Sequence, residues 1–361
     1  MINFDTVPSS LRVPGRYIEF NTRTAVQGLP QNPQKMVLIT PKLASGTQPD
    51  NQPVQLFSDA QAADLFGAGS WAHLCVRQAF RNNAYLDLTV VGVPDATASV
   101  AATGKVVIAG TATTSGLATI KVSGVDYSVA VAVGDTADKI AKSLKTELDY
   151  PDCVLTAAVN GGTITLTAKN KGSIGNNISL TSTISAKGVT ATITDMGNGA
   201  GAADITTALT TIAGTHYHII ASAYNDNANA KRLSGHLAST GNAIEKRGAV
   251  GVLGWTGTLA TGTTLANTLN DGRMTIAWYK NAAENAAVLA AGYAAVIAYE
   301  EDPAKPLNTL EIKGLLTTSA ADAPLFAECN AALYNGLTPI TVMTNKVQIM
   351  RAVSTYTQNA T

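Results

Sequence analysis

Apolar runs of strand length alternate with amphipathic segments of helix length between residues 203 and 299. The strand patterns cover residues 218–224, 249–255 and 274–279. The helical patterns cover residues 204–212, 229–239, 263–269 and 285–298. This alternation predicts right-handed βαβ units and a parallel sheet with helices on both faces.

The segment 35–93 also combines predicted strands with predicted helices. An apolar strand is predicted at 35–40, followed by a loop through Pro53 and a β-branched strand at 85–93. Ser58 and Gln61 have the spacing of a capping box, which predicts a helix that ends at Gly67. Ser70 is the expected cap of a second helix. The two α/β segments are therefore expected to form one domain.

Between them, after Pro94, the chain becomes dense in Thr, Ala, Gly, Ser and Val. Short strands are predicted at 105–109, 118–122, 125–131, 155–159, 163–168, 178–183 and 190–194. The run Asn160-Gly161-Gly162 indicates a hairpin turn. A single helix is predicted, with caps at Asp135 and Thr136 and a buried stripe of Ile140, Leu144 and Leu148.

The predicted fold class is α/β, with a layered domain and a mainly parallel sheet that is split by an inserted β-rich module containing one helix. The predicted domains are an extended N-terminal arm (1–34), the discontinuous α/β domain (35–95 and 202–353), the module (96–201) and a polar tail (354–361). Beyond residue 299 we expect a strand at 310–316, a helix at 324–335 and strands at 340–343 and 347–352.

Composition narrows the function classes. Only 14% of residues are charged and the formal net charge is zero, which does not favour binding to nucleic acid or to an acidic membrane but does favour self-association. The three cysteines are far apart, as in proteins with free thiols from a reducing compartment. Neither a signal peptide nor a membrane-spanning run is recognisable, so we expect a soluble protein made in a cytoplasm.

One stretch suggests nucleotide chemistry. A glycine-rich run, with Gly197 and Gly199, stands between a predicted strand and a predicted helix, and Asp226 follows the next strand. A dinucleotide site needs glycines near the phosphates and an acid near the ribose. However, the first strand alternates Thr with apolar residues, whereas the strand of such a site is buried on both faces. The run is better interpreted as the linker that returns from the inserted module.

Other candidate chemistry is weak. His216 and His218 would share one face of a strand, as a pair of metal ligands does, but no third ligand is close in sequence. Cys75 is expected to be a buried, inert thiol, and Glu300 and Glu301 are expected to be solvated. Nucleophile elbow, phosphate-loop and zinc-protease motifs do not occur.

Three motifs in order resemble one family. They are VPGRYIE at 13–19, KNKGSIGNNI at 169–178 and DPAKPLNTL at 302–310, the last after a long Ala-rich helical pattern. Together they resemble the tail sheath proteins of contractile bacteriophages, especially the Mu-like branch.

The resemblance implies a virion structural protein with no catalytic residues, no cofactor and no metal. Its implied partners are further copies in stacked rings, the tail tube protein, the baseplate and the tail terminator, without nucleic acid or direct membrane contact. Such a sheath surrounds the tube and contracts to drive it through the host envelope, and it is assembled in the host bacterial cytoplasm. Family members continue into a C-terminal sheath domain that polymerises the subunits, so we expect this chain to be a shortened, monomeric form.

Two alternatives stay open from the residues alone. One is a nucleotide-dependent α/β enzyme that uses Gly197, Gly199 and Asp226. The other is a surface-recognition protein whose module, 96–201, binds a carbohydrate or a receptor.

Overall fold

The computed structural model describes residues 34–300, 302, 304–319 and 321–358, and the structural statements below concern these residues. The arm predicted for 1–34, with its VPGRYIE motif, lies outside them except for Gln34. Glu301 also lies outside them, as do the last three residues of the predicted polar tail.

The largest element is a mainly parallel sheet of eight strands, as predicted. Its strands are β1 (Lys35–Pro41), β2 (Pro53–Leu56), β3 (Asp87–Val93), β11 (Ile219–Ser222), β12 (Val250–Trp255), β13 (Met274–Trp278), β14 (Thr338–Met343) and β15 (Lys346–Ile349). The strand order is β15-β14-β13-β12-β11-β1-β3-β2. The edge strands β2 and β15 are antiparallel to their neighbours, whereas the strands between them are parallel.

Helices cover both faces of this sheet. On one face α1 (Asp59–Phe66), α2 (Trp71–Asn82) and α7 (Ala286–Tyr299) pack against side chains such as Met36 and Leu38. The other face carries α4 (Thr206–Ile212), α5 (Asn227–Thr240), α6 (Leu259–Leu269) and α8 (Phe326–Tyr334). Val37 and Ile39 point to this second face, since successive strand side chains alternate. Burial on both faces explains the continuous apolar runs in the sequence.

The segment between β3 and α4 forms two smaller antiparallel sheets. Their strands are β4 (Thr103–Gly110), β5 (Gly116–Val122), β6 (Val125–Val131), β7 (Leu155–Asn160), β8 (Thr163–Ala168), β9 (Leu180–Ile184) and β10 (Val189–Gly197), and the helix of this segment is α3 (Ala137–Leu148). One sheet has the order β10-β4-β8-β7 and the other β6-β5-β9. We call residues 96–201 the module, and residues 35–95 with 202–353 the body.

The module has its own apolar core, built from both small sheets and the buried stripe of α3. Ile140, Leu144 and Leu148 are all buried, as predicted, and Thr136 caps the helix by accepting a hydrogen bond from the Lys139 amide. The predicted hairpin also forms, since β7 and β8 pair up to Asn160 and Thr163.

The predicted strand at 310–316 is wrong. Of this segment, only Glu311 makes an isolated bridge, with Gln348. Leu310 and Ile312 each exchange one backbone hydrogen bond with β15, at 3.0 and 2.9 Å. Beyond them the backbone bonds to side chains: Asn82 Oδ1 accepts from the Lys313 amide at 2.8 Å, and Glu284 Oε1 accepts from the Leu316 amide at 2.8 Å. The segment resembles a strand in sequence because Ile312 and Leu315 are buried.

The loop predicted through Pro53 contains the start of a strand. β2 begins at Pro53, which pairs with Val91 on the outer edge of the large sheet. Proline is tolerated there because it has no amide proton to donate, and an edge strand pairs with a neighbouring strand on one side only.

Candidate functional site

The two connections between body and module run side by side. Val100 on the outgoing connection forms an antiparallel bridge with Ala200 on the returning one, with N–O distances of 2.9 and 3.1 Å. The glycine-rich run therefore follows a paired course from β10 back to the body. We call this crossing, together with the segment 169–177 that packs against it, the joint.

Segment 169–177 contains the KNKGSIGNN motif and holds both connections. Gly172 donates its amide proton to the Val100 carbonyl at 3.0 Å, and Ser173 donates to the Gly201 carbonyl at 2.9 Å. The Asn176 side chain accepts from the Gly199 amide and donates to the Gly199 carbonyl, both at 2.8 Å. The backbone groups of Gly199 are thus bonded within the chain rather than free for a phosphate.

Asn170 extends the joint into the body. Its side chain is buried, with Nδ2 donating to the Lys42 carbonyl at 2.9 Å and Oδ1 accepting from the Trp71 amide at 3.3 Å. Asp95 accepts from the Lys171 amide at 2.8 Å. Burial raises the pKa of Asp95, and the hydrogen bonds from Lys171 and Asn170 oppose that shift.

This contact lies at the topological switch point of the large sheet. From β1 the chain crosses to β3 on one side, whereas from β11 it crosses to β12 on the other. The carboxyl ends of β1 and β11 therefore flank the crevice where α/β proteins of this type bind nucleotides. Here the crevice contains Asn170, and a cleft of about 230 Å³ next to it is smaller than a typical cofactor pocket of ~300–1,000 Å³.

The residues of the nucleotide hypothesis have structural partners. Gly197 pairs with Thr103 at the end of β10. Asp226 lines the small cleft, but it caps α5, where its carboxylate accepts from the Asn229 amide at 3.1 Å and from Asn229 Nδ2 at 2.7 Å. The helix N-terminus is therefore satisfied by its own cap.

A second set of contacts braces the module against α2. Trp71 and Leu74 of α2 pack against the module core, and Arg77 pairs with Asp152 of the module at 3.1 Å. Gly69, just before α2, has a φ of +77°, and a Cβ there would lie 2.4 Å from the Cys153 carbonyl oxygen. Only glycine allows this approach of the two backbones.

The histidine pair does come together. The rings of His216 and His218 have centroids 4.6 Å apart. His216 Nε2 lies 3.0 Å from the Gly248 carbonyl, and His218 Nδ1 accepts from the Lys35 amide. Burial lowers the pKa of His218, and the nearby His216 and Lys35 add to this effect. Among the described residues, no three His, Cys, Asp or Glu side chains are grouped closely enough to hold a metal ion.

Two further predictions have different outcomes. Cys75 is buried as predicted, and burial raises its pKa. Glu300 is not solvated as predicted, because its side chain is only 14% exposed and pairs with Lys305 at 2.9 Å. In the part of the chain that the structure describes, no helix is both long and apolar enough to cross a membrane.

Sequence reasoning missed Asn170 and Asp95 as structural residues. The available signal was a polar, glycine-containing run, KNKGSIGNN, inside an otherwise Thr- and Val-rich module. Such a run predicts a loop, but its long-range partners cannot be identified without the fold. The fold and joint define a class: a layered α/β protein with an inserted module, whose sheet crevice contacts the protein's own chain.

Comparison with known proteins then gives the family. Residues 198–355 match the model of the phage tail sheath protein central domain. The chain is 35% identical over 371 aligned positions to the Mu-like prophage FluMu tail sheath protein of Haemophilus influenzae, covering 99% of this chain and 75% of that protein. The chain belongs to the phage tail sheath family and is a structural protein of the virion, not an enzyme.

Two solved structures of sheath tail proteins are also similar. The protein from Desulfitobacterium hafniense has a TM-score of 0.48 and 13% identity, with 96% of this chain and 76% of that chain covered. The protein from Listeria innocua has a TM-score of 0.47 and 12% identity, with 91% and 70% covered.

Proposed function

We propose that this chain is a subunit of a contractile tail sheath, which surrounds the tail tube and contracts to drive it through the host envelope during genome delivery. Membership of the sheath family, over 99% of the chain, is the observation that carries this proposal. The partners are other copies in stacked rings, the tail tube protein, the baseplate and the tail terminator. Assembly takes place in the host cytoplasm, for which three buried free thiols are suited.

The polarity of the sheet supports an orientation for the subunit. The module contacts the body where the parallel strands end, through Lys42 after β1 and through Asn285 at the start of α7, which donates to the Ile174 carbonyl. Gln34 and Thr355 lie where the strands begin, since Gln34 precedes β1 and the Thr355 amide donates to the Met274 carbonyl. The module thus lies at the end of the sheet where the parallel strands finish, and Gln34 and Thr355 lie at the end where they begin.

In the proposed sheath the module faces outward. Subunits in a helical array use heterologous contacts that repeat along the array. An insertion where the strands end leaves free the opposite end of the sheet and the helical face formed by α4, α5, α6 and α8. The body (35–95 with 202–353) and the module (96–201) act in this proposal as two domains that move together, because the joint and the Arg77–Asp152 pair connect them rigidly.

Electron microscopy of the full-length gene product tests the sheath function. We expect tubular polysheaths at some salt concentration. Monomers under every salt condition would contradict the proposal.

Cysteine labelling tests the orientation in the same tubes. Val133 of the module is 67% exposed. Ile244, which precedes β12 and lies near the end of the sheet where the strands begin, is 88% exposed. A maleimide dye should label Val133→Cys equally in subunits and in tubes, whereas labelling of Ile244→Cys should fall on assembly. Protection of Val133→Cys alone would show that the module faces inward.

A further inference from the structure

Three asparagines of the chain are followed directly by glycine, namely Asn160, Asn198 and Asn335. Asparagine is chemically labile, and the pair Asn-Gly can react with itself because glycine has no side chain to shield its backbone nitrogen and leaves the backbone free to turn. In that reaction the glycine nitrogen attacks the side-chain carbon Cγ of the asparagine. The hydrogen bonds and the burial around each pair therefore decide which asparagine reacts in the folded protein.

The pair at Asn198 is held through its glycine. The Gly199 amide donates to Asn176 Oδ1 at 2.8 Å, and the Gly199 carbonyl accepts from Asn176 Nδ2 at 2.8 Å. Although Asn198 is exposed, the nitrogen that would attack its Cγ is already occupied by a hydrogen bond within the joint. The loss of one such bond corresponds to about a tenfold lower rate.

The pair at Asn335 is held through its asparagine. Asn335 Nδ2 donates to the Ala331 carbonyl of α8 at 2.7 Å, and the Asn335 backbone amide donates to the same carbonyl at 3.1 Å. Gly336 is buried, and a Cβ there would lie 2.8 Å from Thr355 Cα. The peptide bond between the two residues is therefore packed at the end of α8 and has little room to turn.

Asn160 has neither kind of protection. It ends β7 at the tip of a hairpin, where Asn160 and Gly161 are both exposed. Among the described residues, neither the Asn160 side chain nor the Gly161 amide has a hydrogen-bond partner, and nothing lies within 4 Å of the place that a Gly161 Cβ would take. The hairpin is anchored one residue further on, where the Gly162 carbonyl accepts from the Ile108 amide at 2.8 Å. The peptide bond after Asn160 can therefore turn while the sheet stays paired.

We propose that Asn160 is a site of spontaneous deamidation, which places a new negative charge on the module. The Gly161 nitrogen forms a bond to Asn160 Cγ and gives up its proton, and Nδ2 leaves as ammonia with that proton, which closes a succinimide ring. Water then adds to one of the two ring carbonyls and opens the ring, so that aspartate or isoaspartate results and no oxidant or reductant is needed. The new carboxyl is ionised at neutral pH, because the ordinary pKa of such a group is about 4.

The modification changes the charge of a chain whose formal net charge is zero. Asn160 and Gly161 lie outside the joint, so the contacts between module and body are retained in the product. The reaction itself does not depend on the sheath function. Only the position of the new charge, on the outer surface of the tail, rests on the proposed orientation of the module.

Incubation of the whole folded chain in mildly alkaline buffer, followed by digestion and peptide mass spectrometry, tests the proposal. We expect Asn160 to convert at least about tenfold faster than Asn198 and Asn335, since each of those pairs must first break a hydrogen bond. Incubation in urea should bring the three rates together. On isoelectric focusing, Asn160→Gln should abolish the acidic form that the parent chain develops, because the longer side chain would have to close a larger ring. Asn177→Gln is the matched control: this exposed asparagine of the module precedes Ile178, and the variant should develop the acidic form as the parent does.

Three results would overturn the proposal. One is an equal rate at Asn160 and Asn198 in the folded chain. Another is an unchanged Asn160 in the folded chain after a time in which the chain in urea has reacted fully. The third is a rate order that is the same in urea as in the folded chain, which would show that the neighbouring sequence and not the fold selects the site. None of these results bears on the sheath function, which the polysheath experiment tests separately.

Discussion

Asn170 Nδ2 donates a hydrogen bond to the carbonyl oxygen of Lys42 across 2.9 Å, although 128 residues separate them in the chain. Lys42 directly follows β1, and Asn170 belongs to the module. The bond joins the module to the carboxyl end of the large sheet at its switch point. Cofactors occupy this position in related topologies, whereas here a side chain of the same protein does.

Replacement of Asn170 by Ala should destabilise the whole chain. It would leave the Lys42 carbonyl and the Trp71 amide buried without partners, which should lower the free energy of unfolding by about 2–4 kcal/mol. Urea unfolding followed by circular dichroism measures this change. Asn160→Ala, in an exposed strand end of the same module, is the matched control and should change stability little. Equal stability of the two variants would contradict the assigned role of the joint.

Gly69→Ala should be strongly destabilising, because a Cβ would meet the Cys153 carbonyl at 2.4 Å and the φ of +77° is unfavourable for alanine. Two glycines separate these effects. Gly134 has a φ of +87° but open space, so Gly134→Ala should cost about 1 kcal/mol. Gly214 has neither constraint, and Gly214→Ala should be nearly neutral. If Gly69→Ala is no worse than Gly134→Ala in thermal melts, the close approach is not required.

The pH dependence of stability should reveal the buried carboxyl of Glu284. Burial raises its pKa above the ordinary value of 4.5, against opposing hydrogen bonds from the Leu316 amide and its own amide. The folded state therefore holds this proton more tightly than the unfolded state. The resulting stability is fully present below pH 4.5 and is lost as pH rises through the raised pKa. The groups nearby are Arg77, Arg81, Asp152, Tyr127 and Tyr279.

Relative to the parent chain, Glu284→Gln should thus gain in Tm as pH rises from 4 to 8. Glu328 is a control of opposite sign, because the hydrogen bond from Lys280 at 2.9 Å lowers its pKa. Its stabilising effect is present above its ordinary pKa and is lost as pH falls. Glu328→Gln should therefore be less stable than the parent at neutral pH, with a difference that shrinks in acid. A flat difference for Glu284→Gln would show that its carboxyl titrates normally.

All three cysteines should be unreactive in the folded protein. Cys75, Cys153 and Cys329 are buried, and burial raises the pKa of Cys75 and Cys329. Ellman's reagent should detect almost no thiol under native conditions and three thiols after unfolding, because a thiolate must be both formed and accessible to react. Val133→Cys should add one thiol that reacts at once. Rapid native reaction of the parent chain would indicate that a core opens readily.

Deletion of residues 101–199 tests the domain division. The bridge between Val100 and Ala200 holds the two cut ends next to each other, so a Gly-Gly link should close the gap without strain. We expect the remaining body to unfold cooperatively, at a lower Tm than the parent because Trp71 and Leu74 lose the module core. The separate fragment 96–201 should also fold. Loss of any cooperative transition in the shortened body would show that the body depends on the module.

Much of the secondary structure could be predicted because it depends on near neighbours in the chain. Ser58, Ser70 and Thr136 each cap a helix at the predicted place, since a cap involves only the next three residues. Reasoning from near neighbours gave a wrong strand at 310–316, because the buried Ile312 and Leu315 produce an apolar pattern like that of a strand. There the backbone of Leu310 and Ile312 bonds to β15, whereas the backbone of Lys313 and Leu316 bonds to side chains of α2 and to Glu284, which lie far away in the sequence.

The sequence by itself determined the alternation of strands and helices, the β-rich character of residues 96–201 and the absence of familiar catalytic motifs, and its three motifs pointed to the sheath family. Hydrophobic periodicity reports which side of an element is buried, but not which element covers it. Only the tertiary structure decided that Asn170 lies in the switch-point crevice and that Asn176 bonds both backbone groups of Gly199. These contacts depend on how distant segments pack, so the identity of each residue does not reveal them.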